Sequence, residues 1–132
     1  MTGTLVVDAN PILAALLGGR ARDLFFDPNF LFLTTRHTLQ EVERHLPTIS
    51  NRSGVSTEEL RLALALLPLE VVPQSKYKNS LPRARKLLAD IDPTDAEILA
   101  LALATNNHLW SNDGHFEKIA EPIKLVKTRE LF

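Results

Sequence analysis

Leu5-Val6-Val7-Asp8-Ala9-Asn10-Pro11 is the stretch on which the fold class turns. A short β-branched run ending on an acid reads as a buried strand. Asn10-Pro11 behind it reads as a helix start, with Asn at the cap and Pro at the first helical position. The same alternation then repeats. Residues 12–17 read as a helix stopped by Gly18-Gly19, and residues 20–27 as a second short helix. Residues 30–33 read as a strand, and Thr34 or Thr35 as the cap of a helix carrying Leu39, Val42 and Leu46 at helical spacing. Residues 51–54 read as a loop. Ser56 opens a helix to Leu67 with Glu59 three residues on. A strand over 69–72, a helix over 82–89 and a strongly apolar helix entered through Asp92-Pro93-Thr94-Asp95 follow. That helix ends near Asn106-Asn107, and strands over 108–111 and 123–126 close the chain. Strands alternating with helices predict βαβ units and a mostly parallel sheet covered on both faces.

Composition narrows the class. At 132 residues one domain is expected, and 45% hydrophobic with 23% charged residues is the balance of a globule rather than of disorder or a coiled coil. Without cysteine there is no disulfide, thiolate metal site or cysteine nucleophile. The longest apolar run, Ile98 to Ala104, is far short of the ~18 residues of a membrane span. Met-Thr-Gly-Thr carries no basic leader, so a cytoplasmic protein is expected. Net charge is −1, but the signs are segregated. Lys76, Lys78, Arg83, Arg85 and Lys86 form a basic stretch free of acids, and Lys118, Lys124, Lys127 and Arg129 make the C-terminal stretch basic. Such runs can follow a phosphate backbone, although many are simply solvated helix faces. Tyr77, between Lys76 and Lys78, reads either as a base-stacking ring or as a partly exposed surface tyrosine.

The acids gain meaning from the sheet. In parallel α/β sheets ligands collect beyond the carboxyl ends of the strands, where helix N-termini also lie. Asp8 follows the first strand, Asp113 follows the fourth, and Asp95 sits in the first turn of the helix entering the fourth. Glu41 or Glu43, from the helix after the second strand, can complete the set. Each acid also has an ordinary role: Asp8 supports a cap, Asp92 and Asp95 favour a helix start, and Asn112-Asp113-Gly114 makes a turn. Gathered at one edge they repel. Two carboxylates ~4 Å apart cost ~4 kcal/mol at an effective dielectric near 20. Such a cluster either takes up protons or holds a cation, and an all-oxygen set favours Mg²⁺ or Mn²⁺. Carboxylate-bound Mg²⁺ serves phosphate chemistry by activating water and neutralising the phosphate.

Val6-Val7-Asp8-Ala9-Asn10, Leu39-Gln40-Glu41-Val42, Asp92-Pro93-Thr94-Asp95-Ala96 and Trp110-Ser111-Asn112-Asp113-Gly114-His115-Phe116 together resemble the PIN-domain family of metal-dependent ribonucleases. Many of its members are VapC-type toxins. The resemblance spans about Leu5 to Val126 and implies a three-layer α/β/α sandwich, usually dimeric. It also implies that Asp8, Glu41, Asp95 and Asp113 are the catalytic and metal-binding acids, that Asn10, Asp92 and Ser111 support them, and that Ser111 orients the fourth acid or the water. The expected activity is Mg²⁺- or Mn²⁺-dependent cleavage of RNA by a metal-activated water. The expected partners are RNA, a second copy of the chain and a cognate antitoxin. Two departures stand out: Ala9 where a hydroxyl residue is common, and His115 where many members carry another Asp. A helical wheel disagrees with the family register, placing Glu43 nearer than Glu41 to the Leu39/Val42/Leu46 face. The alternatives are a Mg²⁺-dependent phosphoaspartyl domain, phosphatase or receiver, and a degraded member of the same fold that only binds RNA or protein.

Overall fold

The computed structural model describes residues 3–89, 95–112 and 125–131. Five strands, β1 (Gly3–Val7), β2 (Phe30–Thr34), β3 (Leu69–Val71), β4 (His108–Trp110) and β5 (Leu125–Val126), form an all-parallel sheet in the order β3-β2-β1-β4-β5. The register sets Val6 opposite Leu33 on one side of β1, and Val7 opposite Trp110 on the other. Strand order reverses between β1 and β4, so the topological switch point opens at the carboxyl ends of those two strands.

Side-chain alternation builds a separate core on each face. Leu5, Val7, Phe32 and Trp110 point to one side, where they meet α1 (Ala9–Leu16), α2 (Gly19–Phe25), α3 (Arg36–Ser53) and α4 (Thr57–Leu66). Phe25 centres that layer, with ring centroids 4.8 Å from Phe32 and 4.9 Å from Trp110. Val6 and Leu109 point the other way, toward α5 (Leu81–Leu87) and α6 (Ala96–Thr105). Six residues of α6 are buried, which explains an apolar pattern that runs nearly around the helix. The result is the α/β/α sandwich.

Local signals account for most element ends, and the exceptions are informative. Thr35 rather than Thr34 caps α3, accepting a hydrogen bond from the Thr38 amide at 2.9 Å. Thr34 Oγ1 instead donates to the Val7 carbonyl at 3.0 Å, tying the ends of β2 and β1. Residues 51–53 are helical, not loop: α3 continues through Pro47 and stops only at Gly54, whose φ of 77° makes it a left-handed C-cap. Pro47 sits on the exposed side, where the lost amide bond costs least. Asn106 closes α6 in the same left-handed way, at φ 52°. Ser56 caps α4 through the Glu59 amide at 3.1 Å, as expected from its spacing.

Candidate active site

Asn10 is not the cap of the first helix. Asp8 takes that position and Asn10 lies one residue inside α1. Asp95 likewise stands at the N-cap of α6 rather than at its third helical position. In neither case does the carboxylate bond the opening amides of its own helix. Both are buried, Asp8 to 5% and Asp95 to 7% exposure, at the end of a helix where the macrodipole favours negative charge.

Asp8 is held from across the switch point. Ser111, fully buried just past β4, donates from Oγ to Asp8 Oδ2 at 2.8 Å. Asn10 Nδ2 donates to Ser111 Oγ at 3.5 Å, and Asn10 Oδ1 accepts the Asn112 amide at 2.9 Å. Asn112 in turn bonds Thr128, through Nδ2 to Oγ1 and through Oδ1 from the Thr128 amide, each at 3.0 Å. Trp110 Nε1 also donates to Thr128 Oγ1 at 3.0 Å. A chain of directional bonds therefore runs from the segment after β5, through the end of β4, to the first aspartate. Ser111 thus bonds the first acid; its expected role toward the fourth concerns Asp113, which lies outside the described residues.

Asp8, Asn10, Glu41 and Asp95 line one cavity of about 130 Å³, together with Ala9, Leu13 and His45. Glu43 points elsewhere: it is exposed and pairs with Arg61 of α4 at 3.3 Å. The helical wheel misjudged this because it located only the apolar face of α3. That face is flanked by α4 on the Glu43 side and by α1 and α6 on the other, and Glu41 stands on the flank that meets the sheet edge. His45, one turn after Glu41, is exposed on that flank and also lines the cavity, a position for which the sequence analysis proposed no site role. The Glu41–His45 spacing of four was its only signal. Asp113, Asp92 and His115 lie outside the described residues. Lys76, Lys78, Arg83, Arg85 and Lys86 are all exposed, on the turns after β3 and on α5.

The donor set is carboxylate oxygen, which suits hard cations, and the cavity has room for an ion with several waters. Among the described residues, no group of three or more His, Asp or Glu side chains is arranged to hold a metal ion; Asp113 lies outside them.

A sequence profile of the PIN domain matches residues 6–131. The chain belongs to the PIN-domain family. No curated protein matches it in sequence at a significant level. Solved PIN-fold structures overlay closely despite low identity. The VapBC2 complex of Rickettsia felis, bound to a promoter DNA fragment, superposes with a TM-score of 0.72 at 18% identity, over 94% of this chain and 98% of its own. VapBC-1 of nontypeable Haemophilus influenzae gives 0.68 at 18%, over 96% and 98%. VapC20 of Mycobacterium tuberculosis, a toxin that cleaves the sarcin–ricin loop, gives 0.61 at 18%, over 89% and 96%. The α/β sandwich is thus the PIN fold in its VapC-like form. Family membership removes the phosphoaspartyl alternative. Among the described residues, no helix is long and apolar enough to cross a membrane.

Proposed function

We propose that this PIN domain is a divalent-metal-dependent endoribonuclease and the toxin of a toxin–antitoxin pair. The observation that carries the reading is the meeting of Asp8, Glu41 and Asp95, from three separate elements, in one cavity beside the switch point of the sheet. Carboxylates lining one cavity repel one another, and a divalent cation among them would relieve that cost.

Mg²⁺ or Mn²⁺ would be held by Asp8, Glu41 and Asp95, with Asp113 completing the set. When bound, the ion supplies Lewis acidity, neutralising phosphate charge and making water a stronger nucleophile. The chain's own residues do the positioning. Ser111 and Asn10 fix the rotamer of Asp8, and burial keeps bulk water from Asp8 and Asp95. Lys76, Lys78, Arg83, Arg85 and Lys86 present exposed positive charge to an RNA backbone. That VapC20 is a toxin cleaving the sarcin–ricin loop, and that two other neighbours are VapBC complexes, supports both the substrate class and a cognate antitoxin. A homodimer is the expected assembly.

The test is RNA cleavage by the purified chain with Mg²⁺ or Mn²⁺. The wild type cleaves, chelation stops it, and Asp8→Asn, Glu41→Gln and Asp95→Asn each fall by about 100-fold or more, as for loss of several kcal/mol of transition-state stabilisation. Variants that cleave as fast as wild type, or RNA binding by the wild type without turnover, refute the proposal.

A further inference from the structure

A larger cavity, about 520 Å³, lies along the same sheet edge and falls in the size range of small-ligand sites. Its walls are Arg36, His37 and Gln40 of α3, Val71 to Gln74 leaving β3, Tyr77, and Glu97 of α6. Two of these adjoin the acidic cavity in sequence: Gln40 precedes Glu41, and Glu97 is two residues past Asp95. The cavities therefore share α3 and the first turn of α6 as walls.

One carboxylate is fixed in this cavity. Tyr77, only 3% exposed, donates from its hydroxyl to Glu97 Oε1 at 2.7 Å. Burial first, and the Glu97 bond second, push the Tyr77 hydroxyl well above its ordinary pKa, so it remains a donor at any physiological pH. The exposed Gln74 amide straddles the two Glu97 oxygens at 3.1 and 3.3 Å. A carboxylate offers about four acceptor positions, so if Gln74 swings into solvent, both oxygens face the cavity with room for a donor each. Val71, Val72 and Pro73 give an apolar wall, and the Arg36 guanidinium and His37 imidazole are both groups on which bases stack.

We propose, building on the nuclease reading, that this cavity receives the nucleobase beside the scissile phosphate, and that Glu97 selects guanine. Guanine is the one RNA base with two adjacent donors, N1–H and the N2 amino group, matching the two oxygens of a carboxylate. Adenine and cytosine place an acceptor beside their amino group, and uracil flanks a single N–H with two carbonyls. Each of these sets a lone pair against the Glu97 carboxylate.

Titration of the full chain with GMP, AMP, CMP and UMP, followed by calorimetry and by NMR, tests this without requiring turnover. GMP is expected to bind about tenfold or more tighter than UMP, as for one bidentate base contact. Glu97→Gln keeps an oxygen for Tyr77 but turns a donor toward guanine, so the four nucleotides should then bind within about threefold of each other. Equal binding of the four by wild type, preference for another base, or a GMP preference that survives Glu97→Gln overturns the assignment. Mg²⁺-dependent RNA cleavage is scored separately. Cleavage without GMP preference sinks the subsite alone, and GMP preference without cleavage sinks the nuclease reading alone.

Discussion

Ser111→Ala removes one oxygen and, with it, the donor that holds Asp8 across the switch point. The 2.8 Å bond joins a fully buried hydroxyl to a carboxylate only 5% exposed, so water cannot replace it without opening the site. A hydrogen bond to a charged group contributes about 1.5–3 kcal/mol, against about 0.5–1.5 for a neutral pair. With an unfolding entropy of about 2.1 cal/mol/K per residue over 132 residues, Ser111→Ala should lower Tm by about 5–11 °C. In an Asp8→Asn background the acceptor is a neutral amide, and the same change should cost about 2–5 °C. The difference, of order 1 kcal/mol, is the coupling in a double-mutant cycle. Thermal and urea unfolding of the four proteins at pH 7 in chelator measure it. Equal losses in both backgrounds, or a loss under about 2 °C in the wild-type background, would refute the charge-assisted bond and with it the positioning role of Ser111.

Three further outcomes follow from other contacts. Glu43→Gln breaks only an exposed pair with Arg61, so it should cost at most about 1 kcal/mol and leave RNA cleavage intact, in contrast to Glu41→Gln two residues away. Mn²⁺ at 100 times its dissociation constant should stabilise the wild type by about 2.7 kcal/mol in calorimetry, and Asp8→Asn or Asp95→Asn should lose most of that gain. Tyr77 is the only tyrosine, so absorbance titration of the native protein should show its ionisation beyond pH 10. Because the folded pKa is raised, the stabilisation it reflects is complete below pH 10 and lost as pH rises beyond it. Tyr77→Phe should flatten the decline in urea-unfolding free energy between pH 9 and 11, and a decline as steep as wild type's would rule out Tyr77 as its source.

The strand–helix alternation was legible because β1 and β4 are short, apolar and buried on both faces, while Gly18, Gly54 and Ser56 mark helix boundaries. What periodicity hid was direction. Nothing along the chain says that Asp8 and Asp95 forgo capping their own helices, because that depends on Ser111 arriving from a strand 103 residues away and on the packing of α6. Asn10-Pro11 has the composition of a cap, yet Asn10 is used in the bridge to Asn112. The choice between Glu41 and Glu43 lay beyond a wheel for the same reason: both are off the apolar face, and only the neighbours of α3 separate them. Tyr77, a candidate for surface exposure in a basic run, is buried because Glu97 of a distant helix offers its hydroxyl a partner.

Among the described residues, α1, α3 and α6 begin at the carboxyl edge of the sheet, and their starts are used differently. At α3 the cap is filled conventionally by Thr35, so the acid of that helix, Glu41, must come from its flank. At α1 and α6 an aspartate occupies the cap position without capping, which leaves its charge facing the shared cavity while the positive helix end stands behind it. A helix end offers roughly half a unit of positive charge, worth up to about 2 kcal/mol in a partly buried geometry. That lowers the cost of holding two buried carboxylates together but does not cancel it, since the penalty for each desolvated ion is several kcal/mol. A divalent cation in the cavity would offset the remainder, and an amide at either cap position removes charge from the site while still fitting the helix start.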